Sequence, residues 1–260
     1  MSIHATALID KTVELGRNVE VGPYSILRGQ TRIGDNCRIG SHVVIGSDYG
    51  IVELGQDNVI HSGAVVGGPP QDLTYKNEAT KLEVGDRNQI REFVTLNCGT
   101  KKGGGVTRIG SDGLFMAYVH VAHDCQVGNH VVIANTSQLA GHVLVEDHVK
   151  IGGVCRINQF VRFGKHAFIA GDASINKDII PFCIAQGNYA VARAANTVGL
   201  ERGGFAANDI EGIYKAIRIV TKGGGTIDNA IEEIRASVPS SEHIEYLINF
   251  MKSSERGIAR

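Results

Sequence analysis

The sequence predicts a parallel β-helix followed by a small helical domain, and three observations carry that prediction. First, large apolar residues recur every sixth place over two long runs. Ile3, Ile9, Leu15, Val21, Leu27, Ile33, Ile39 and Ile45 form the first, and Ile109 through Ile175 form the second. Neither a helical period of 3.6 nor a simple strand period of 2 gives this spacing, whereas a six-residue repeat is the signature of a stacked β-coil. Second, the place four residues after each large one holds a small or β-branched residue, such as Cys37, Val43, Val119, Cys125, Ser137, Cys155 and Ala173. Third, the 260 residues include 33 glycines, nearly twice the typical share of ~7%, as tight corners require. Periodicity does not fix the hand of the helix.

Three hexads close one triangular coil of 18 residues, and coils stack at the parallel-strand spacing of roughly 4.8 Å. The run from Ile3 to Pro181 then has room for about nine or ten coils in a prism of roughly 40–45 Å. After Ile45 the register slips by three, and Leu54, Ile60 and Val66 continue it. Two excursions follow, near 67–81 with Pro69-Pro70 inside, and near 97–108 with Lys101-Lys102-Gly103-Gly104-Gly105. A β-helix does not need such loops to fold, and long loops on rigid scaffolds commonly carry function. The prism is expected to occupy 1–187.

Residues 188–260 read as a helical domain. Ile210, Ile213, Ile217 and Val220 share one helical face, and Gly223-Gly224-Gly225 ends that helix. Thr226 can N-cap the next, whose apolar face is Ile227, Ala230, Ile231 and Ile234. Pro239-Ser240-Ser241 opens a last helix with Ile244, Leu247, Ile248 and Met251 inward.

A net charge of −1 argues against a nucleic-acid partner, which calls for a basic excess. No apolar run reaches the ~18 residues of a transmembrane segment, and the N-terminus lacks the pattern of a signal peptide. Five cysteines with no C-x-x-C pair fit a reducing, cytoplasmic compartment.

Histidines concentrate in the second hexad run. His130, His148 and His166 are 18 apart and should stack along one edge, where they read as a polar turn column. His120, His123 and His142 differ. Gly141 lies 18 after His123 and so directly above it, and His142 follows one place on. A base beside a bare backbone N–H offers a proton acceptor and an oxyanion donor, as acyl transfer needs, and Asp124 could orient His123. The same three histidines could instead hold zinc, and a hexad prism without catalysis is a further alternative.

The chain resembles the UDP-N-acetylglucosamine acyltransferases, which open lipid A biosynthesis. The resemblance runs over nearly the whole length: Gln71-Asp72-Leu73, Ile90-Arg91-Glu92, Gly103-Gly104-Gly105, His120-Val121-Ala122-His123-Asp124-Cys125, Leu139-Ala140-Gly141-His142-Val143, Asn158-Gln159-Phe160, Ile184-Ala185-Gln186-Gly187-Asn188, Arg202-Gly203-Gly204-Phe205 and Arg256-Gly257. It implies a left-handed helix, a homotrimer with sites between subunits, and no cofactor or metal. It implies transfer of a 3-hydroxyacyl chain from acyl carrier protein to the glucosamine 3-position. By the same resemblance His123 is the general base, Asp124 its partner and Gly141 the oxyanion donor. Gln71, Asp72, His120, His142, Asn158, Gln159, Asn196 and Arg202 match substrate-binding positions, and Gly171 matches the position that limits the acyl pocket. Asn158, Asn97, Thr74 and Val198 depart from the usual pattern. These departures leave open a 3-amino analogue of the sugar nucleotide as acceptor; a later-step N-acyltransferase is a separate alternative.

Overall fold

A computed structural model describes residues 1–260. The chain winds as a left-handed prism with three parallel faces, and every third short strand returns to the same face. Partners on the regular faces are 18 residues apart, as in Phe115 with Ile133 and Ile133 with Ile151. Inward residues pile into apolar columns: Ile60, Ile90, Phe115, Ile133, Ile151 and Ile169 stack on one face, each no more than 1% exposed. The third residue after each inward one turns the corner in the left-handed backbone region, as Asp124, His142 and Phe160 do with φ of 63°, 63° and 64°. Asn, Asp and His tolerate that region better than most side chains, which accounts for their frequency at the corners.

The register slip and both excursions fall at one corner. Each leaves the same face, after Val44–Ile45, after Val65–Gly68 and after Thr95–Asn97, and each re-enters the next face at Ile51–Leu54, Lys81–Val84 and Val106–Ile109. Partners across these steps are 21, 30 and 25 residues apart instead of 18. The following turn of that corner, between His120–Val121 and Gln126–Val127, carries His123 and has no insertion.

The expected division at 187/188 falls inside a hairpin. Cys183–Gly187 adds to the face of Phe168–Ile169, and Ala190–Ala195 pairs antiparallel with it, so the first residues after 188 are strand rather than helix. Four helices follow. α1 (Thr197–Arg202), unforeseen in the periodicity, is six residues long and capped by Asn196. α2 (Ala207–Lys222) buries Ile213, Ala216, Ile217 and Val220. α3 (Ile227–Ser237) starts from a capping box between Thr226 and Asn229. α4 (Glu242–Lys252) starts at the Ser241 cap. The C-terminal tail returns to the prism, where Ile258 bridges to Asp178. No helix is long and apolar enough to cross a membrane.

Candidate active site

The corner above the excursions buries a cluster of polar residues, Thr100, Thr107, His123 and Asp124. His123 is 4% exposed and Asp124 5%. His123 Nδ1 lies 2.8 Å from Asp124 Oδ2, which leaves Nε2 as the ring's free nitrogen. Burial alone would raise the Asp124 carboxyl; hydrogen bonds from His123 and from the Thr100 side chain and backbone outweigh it and hold the group below the usual carboxylate range. The aspartate is therefore ionised near neutrality and accepts from the imidazole.

Gly141 sits against the imidazole as the 18-residue spacing requires. A Cβ there would lie 2.5 Å from His123 Cε1 and 2.9 Å from Nε2, so only glycine lets the two coils approach this closely. The Gly141 N–H has no hydrogen-bond partner in the chain. At the corner of His130 and His148 the equivalent N–H is taken by a side chain of the next coil, as Asn129 N–H is by Asp147 at 2.7 Å. Gln159 occupies that next place above Gly141 and is exposed, as is Asn158.

His142 stands edge-on to His123, with ring centroids 5.3 Å apart and planes at 88°. Its other side stacks on Phe160 at 4.5 Å and 9°. Desolvation pulls its pKa down against the opposing charge of Asp124, so it is neutral near pH 7. Desolvation, then His123, likewise lowers His120, whose Nδ1 lies 2.7 Å from Thr95 Oγ1. Asp72, in the first excursion, accepts the Thr74 N–H and hydroxyl at 2.7 and 2.8 Å, and its neighbour Gln71 is exposed. Those bonds hold the Asp72 carboxyl low, with smaller contributions from His123 and Lys102 nearby. Ligand atoms of His123, Asp124 and His142 all lie within 4.8 Å of one another, the chain's one arrangement that could grip a metal ion. Its carboxylate is already committed to Thr100 and His123.

A single chain brings His120, His123, Asp124, Gly141, His142 and Asp72 together, with Asn158 and Gln159 one coil above. It does not bring Gly171, Asn196 or Arg202 to them. Gly171 lies above Gly153 on a different corner. Asn196 donates to the His166 carbonyl on the third corner at 2.9 Å, and Arg202 ends α1 beyond it. His130, His148 and His166 form a separate stack along that third corner, with centroids 4.7 and 4.6 Å apart. Phe160 was within reach of the sequence, since it lies 18 after His142. Thr95 and Thr100 were not, because insertions break the spacing that would place them.

A left-handed hexapeptide prism with a buried histidine–aspartate pair beneath a bare glycine defines an acyltransferase of the hexapeptide class. The comparisons with known proteins narrow this. A family model described as "Udp N-acetylglucosamine O-acyltransferase; Domain 2" matches residues 178–259, and one described as "Bacterial transferase hexapeptide (six repeats)" matches residues 12–47. The acyl-[acyl-carrier-protein]–UDP-N-acetylglucosamine O-acyltransferase of Herminiimonas arsenicoxydans is 42% identical over 271 residues, covering 99% of each chain. LpxA of Acinetobacter baumannii has a similar structure, with a TM-score of 0.94, 40% identity and 99% of each chain covered. LpxA of Moraxella catarrhalis gives a TM-score of 0.94 at 38% identity over the whole of both chains. The chain belongs to the UDP-N-acetylglucosamine O-acyltransferase family.

Proposed function

We propose that this protein transfers a 3-hydroxyacyl chain from acyl carrier protein to the 3-hydroxyl of the glucosamine ring of UDP-N-acetylglucosamine, the first step of lipid A synthesis. The observation that carries the reading is the buried His123–Asp124 pair under Gly141, in a chain whose relatives bear that activity in their names. His123 Nε2 takes the proton of the attacking 3-hydroxyl while the new C–O bond forms at the thioester carbonyl. Asp124 keeps the Nδ1–H in place and stabilises the imidazolium. The Gly141 N–H faces the oxygen that gains charge. When the tetrahedral intermediate collapses, the C–S bond breaks and the imidazolium returns its proton to the thiolate. No covalent acyl-enzyme is needed. Asp72, Gln71, His120, His142, Asn158 and Gln159 supply contacts around the sugar nucleotide and the thioester.

The remaining matched positions, Gly171, Asn196 and Arg202, serve the site from a neighbouring copy in a homotrimer. Their placement on corners other than that of His123 supports this. Five free, buried cysteines support a reducing, cytoplasmic setting. The matched relatives are O-acyltransferases, which does not favour a 3-amino acceptor, a later N-acyl transfer or a zinc-binding prism.

The test is His123→Ala, assayed with 3-hydroxyacyl carrier protein and UDP-N-acetylglucosamine, with the product identified by mass spectrometry. Loss of a general base costs about 10²–10⁴-fold. A variant within tenfold of wild type would refute the assignment.

A further inference from the structure

The second excursion reaches the site through one residue. Thr100 is 4% exposed, and it donates to both oxygens of Asp124: its N–H to Oδ1 at 2.7 Å and its hydroxyl to Oδ2 at 2.7 Å. The same hydroxyl accepts the Gly103 N–H at 3.0 Å and so caps the short helical turn Lys101–Gly103. Gly103 presses on the carboxylate, for a Cβ there would lie 2.2 Å from Asp124 Cγ. Below, the Asp124 N–H donates to Thr107 Oγ1 at 2.7 Å.

This grip matters because two imidazoles compete for one oxygen. Asp124 Oδ2 lies 2.8 Å from His123 Nδ1 and 3.6 Å from His142 Nε2. The first distance is a hydrogen bond and the second is not. A modest rotation of the carboxylate would exchange them. Thr100 holds both oxygens with charge-assisted bonds, so that rotation breaks two bonds at once in a buried place. We propose that Thr100 is a positioning residue that fixes Asp124 onto His123 and away from His142, so that His123 alone is oriented and poised as base. The seven extra residues of the second excursion then have a purpose: they drop a threonine beside a carboxylate 24 positions later, where the unbroken hexad has only a corner. The inference rests on the acyl-transfer reading with His123 as base.

The experiment compares wild type, Thr100→Val, Thr100→Ser, Asp124→Asn and the Thr100→Val/Asp124→Asn double variant. Valine keeps the shape and the backbone N–H bond but removes the hydroxyl; serine keeps both donors. Thr100→Val should lower kcat about 10–100-fold, the worth of one hydrogen bond to a buried charge, with KM for both substrates nearly unchanged. Thr100→Ser should restore the rate to within about threefold. In the Asp124→Asn background Thr100→Val should cost little more, because residues acting through one another are not additive. Proton NMR of the substrate-free protein reads the same point without activity. The low-field Nδ1–H resonance of His123 should be present in wild type and Thr100→Ser, and shifted or lost in Thr100→Val. A Thr100→Val enzyme with wild-type kcat and an unchanged resonance overturns the proposal. So does an equal loss with and without the Asp124 carboxylate, which marks a merely structural role. If wild type fails to acylate UDP-N-acetylglucosamine, the functional reading falls, and the resonance still decides the clamp.

Discussion

Replacing Gly141 with alanine asks whether the approach of two coils sets the position of the base. The backbone of Gly141 is outside the left-handed region, so alanine meets no conformational penalty there. The added methyl meets the imidazole instead. Its nearest contacts would be 2.5, 2.9 and 3.0 Å, all to His123 ring atoms. Ordinary van der Waals contact begins near 3.4 Å, so the ring must yield by about 0.9 Å. It has little freedom to do so, because Asp124 holds Nδ1 at 2.8 Å and His142 closes one side at a centroid distance of 5.3 Å. A displacement of about 1 Å in a catalytic group costs on the order of 10²-fold in rate. Gly141→Ala should therefore lower kcat about 100-fold, while its melting temperature stays within a few degrees of wild type. Steady-state acyl transfer and thermal unfolding measure the two quantities. Gly212→Ala is the control, since a methyl at that helical position comes no nearer than 3.8 Å to a neighbour. A Gly141→Ala enzyme within threefold of wild type would refute the claim that this contact positions the base.

Two further outcomes concern the joint between prism and helices. Burial, aided by His148, His243 and Lys165, holds the His166 imidazole down at about 4. The unfolded imidazole titrates near 6.5, so between these values the unfolded chain binds more protons and stability falls as the pH drops. The loss is at most about 3 kcal/mol across that window. His166→Phe keeps an aromatic ring against His148 at 4.6 Å and Phe205 at 4.9 Å, and should flatten this dependence. Denaturant unfolding at pH 7 and 4.5 compares the two proteins, and identical pH dependence counts against the assignment. Tyr246 donates to Glu146 and accepts the Lys165 N–H at 3.1 Å, tying α4 to the prism. Tyr246→Phe should destabilise the chain by about 1.5–3 kcal/mol, the worth of a hydrogen bond to a charged group, with kcat unchanged. An unaltered unfolding midpoint would show that the tie contributes nothing.

The regular coils were legible because their physics is strictly periodic. Val121, Leu139 and Ile157 could be stacked on paper, and with them His123 beneath Gly141, because nothing interrupts residues 109–175. Where insertions break the period, spacing no longer places a residue against its neighbour on the next coil. The sequence marks residues 97–108 as an excursion and has no means of aiming Thr100 at Asp124. The second strand of the hairpin at 183–195 is illegible for a related reason. That strand, Ala190–Ala195, is a run of alanines around Arg193 with no alternation of apolar and polar residues, and it forms because the edge of the last coil offers it a partner. Short α1 shows no helical stripe, having one buried residue, Leu200.

All three interruptions lie at the corner where the candidate base sits, and that arrangement links fold to chemistry. A prism closed by apolar columns cannot admit polar loops through its faces without breaking the strand ladders, so insertions are tolerated only at corners. Once one corner carries the slip at 46–50 and the excursions at 69–80 and 98–105, its next turn faces a built wall rather than solvent. Asp124 can then be 5% exposed while standing at a corner whose counterparts His130 and Thr136 are open. That burial is what gives its bonds to Thr100 and His123 their strength, since the same contacts in water would be largely screened. Shortening the second excursion would therefore act on the base before it acts on the fold.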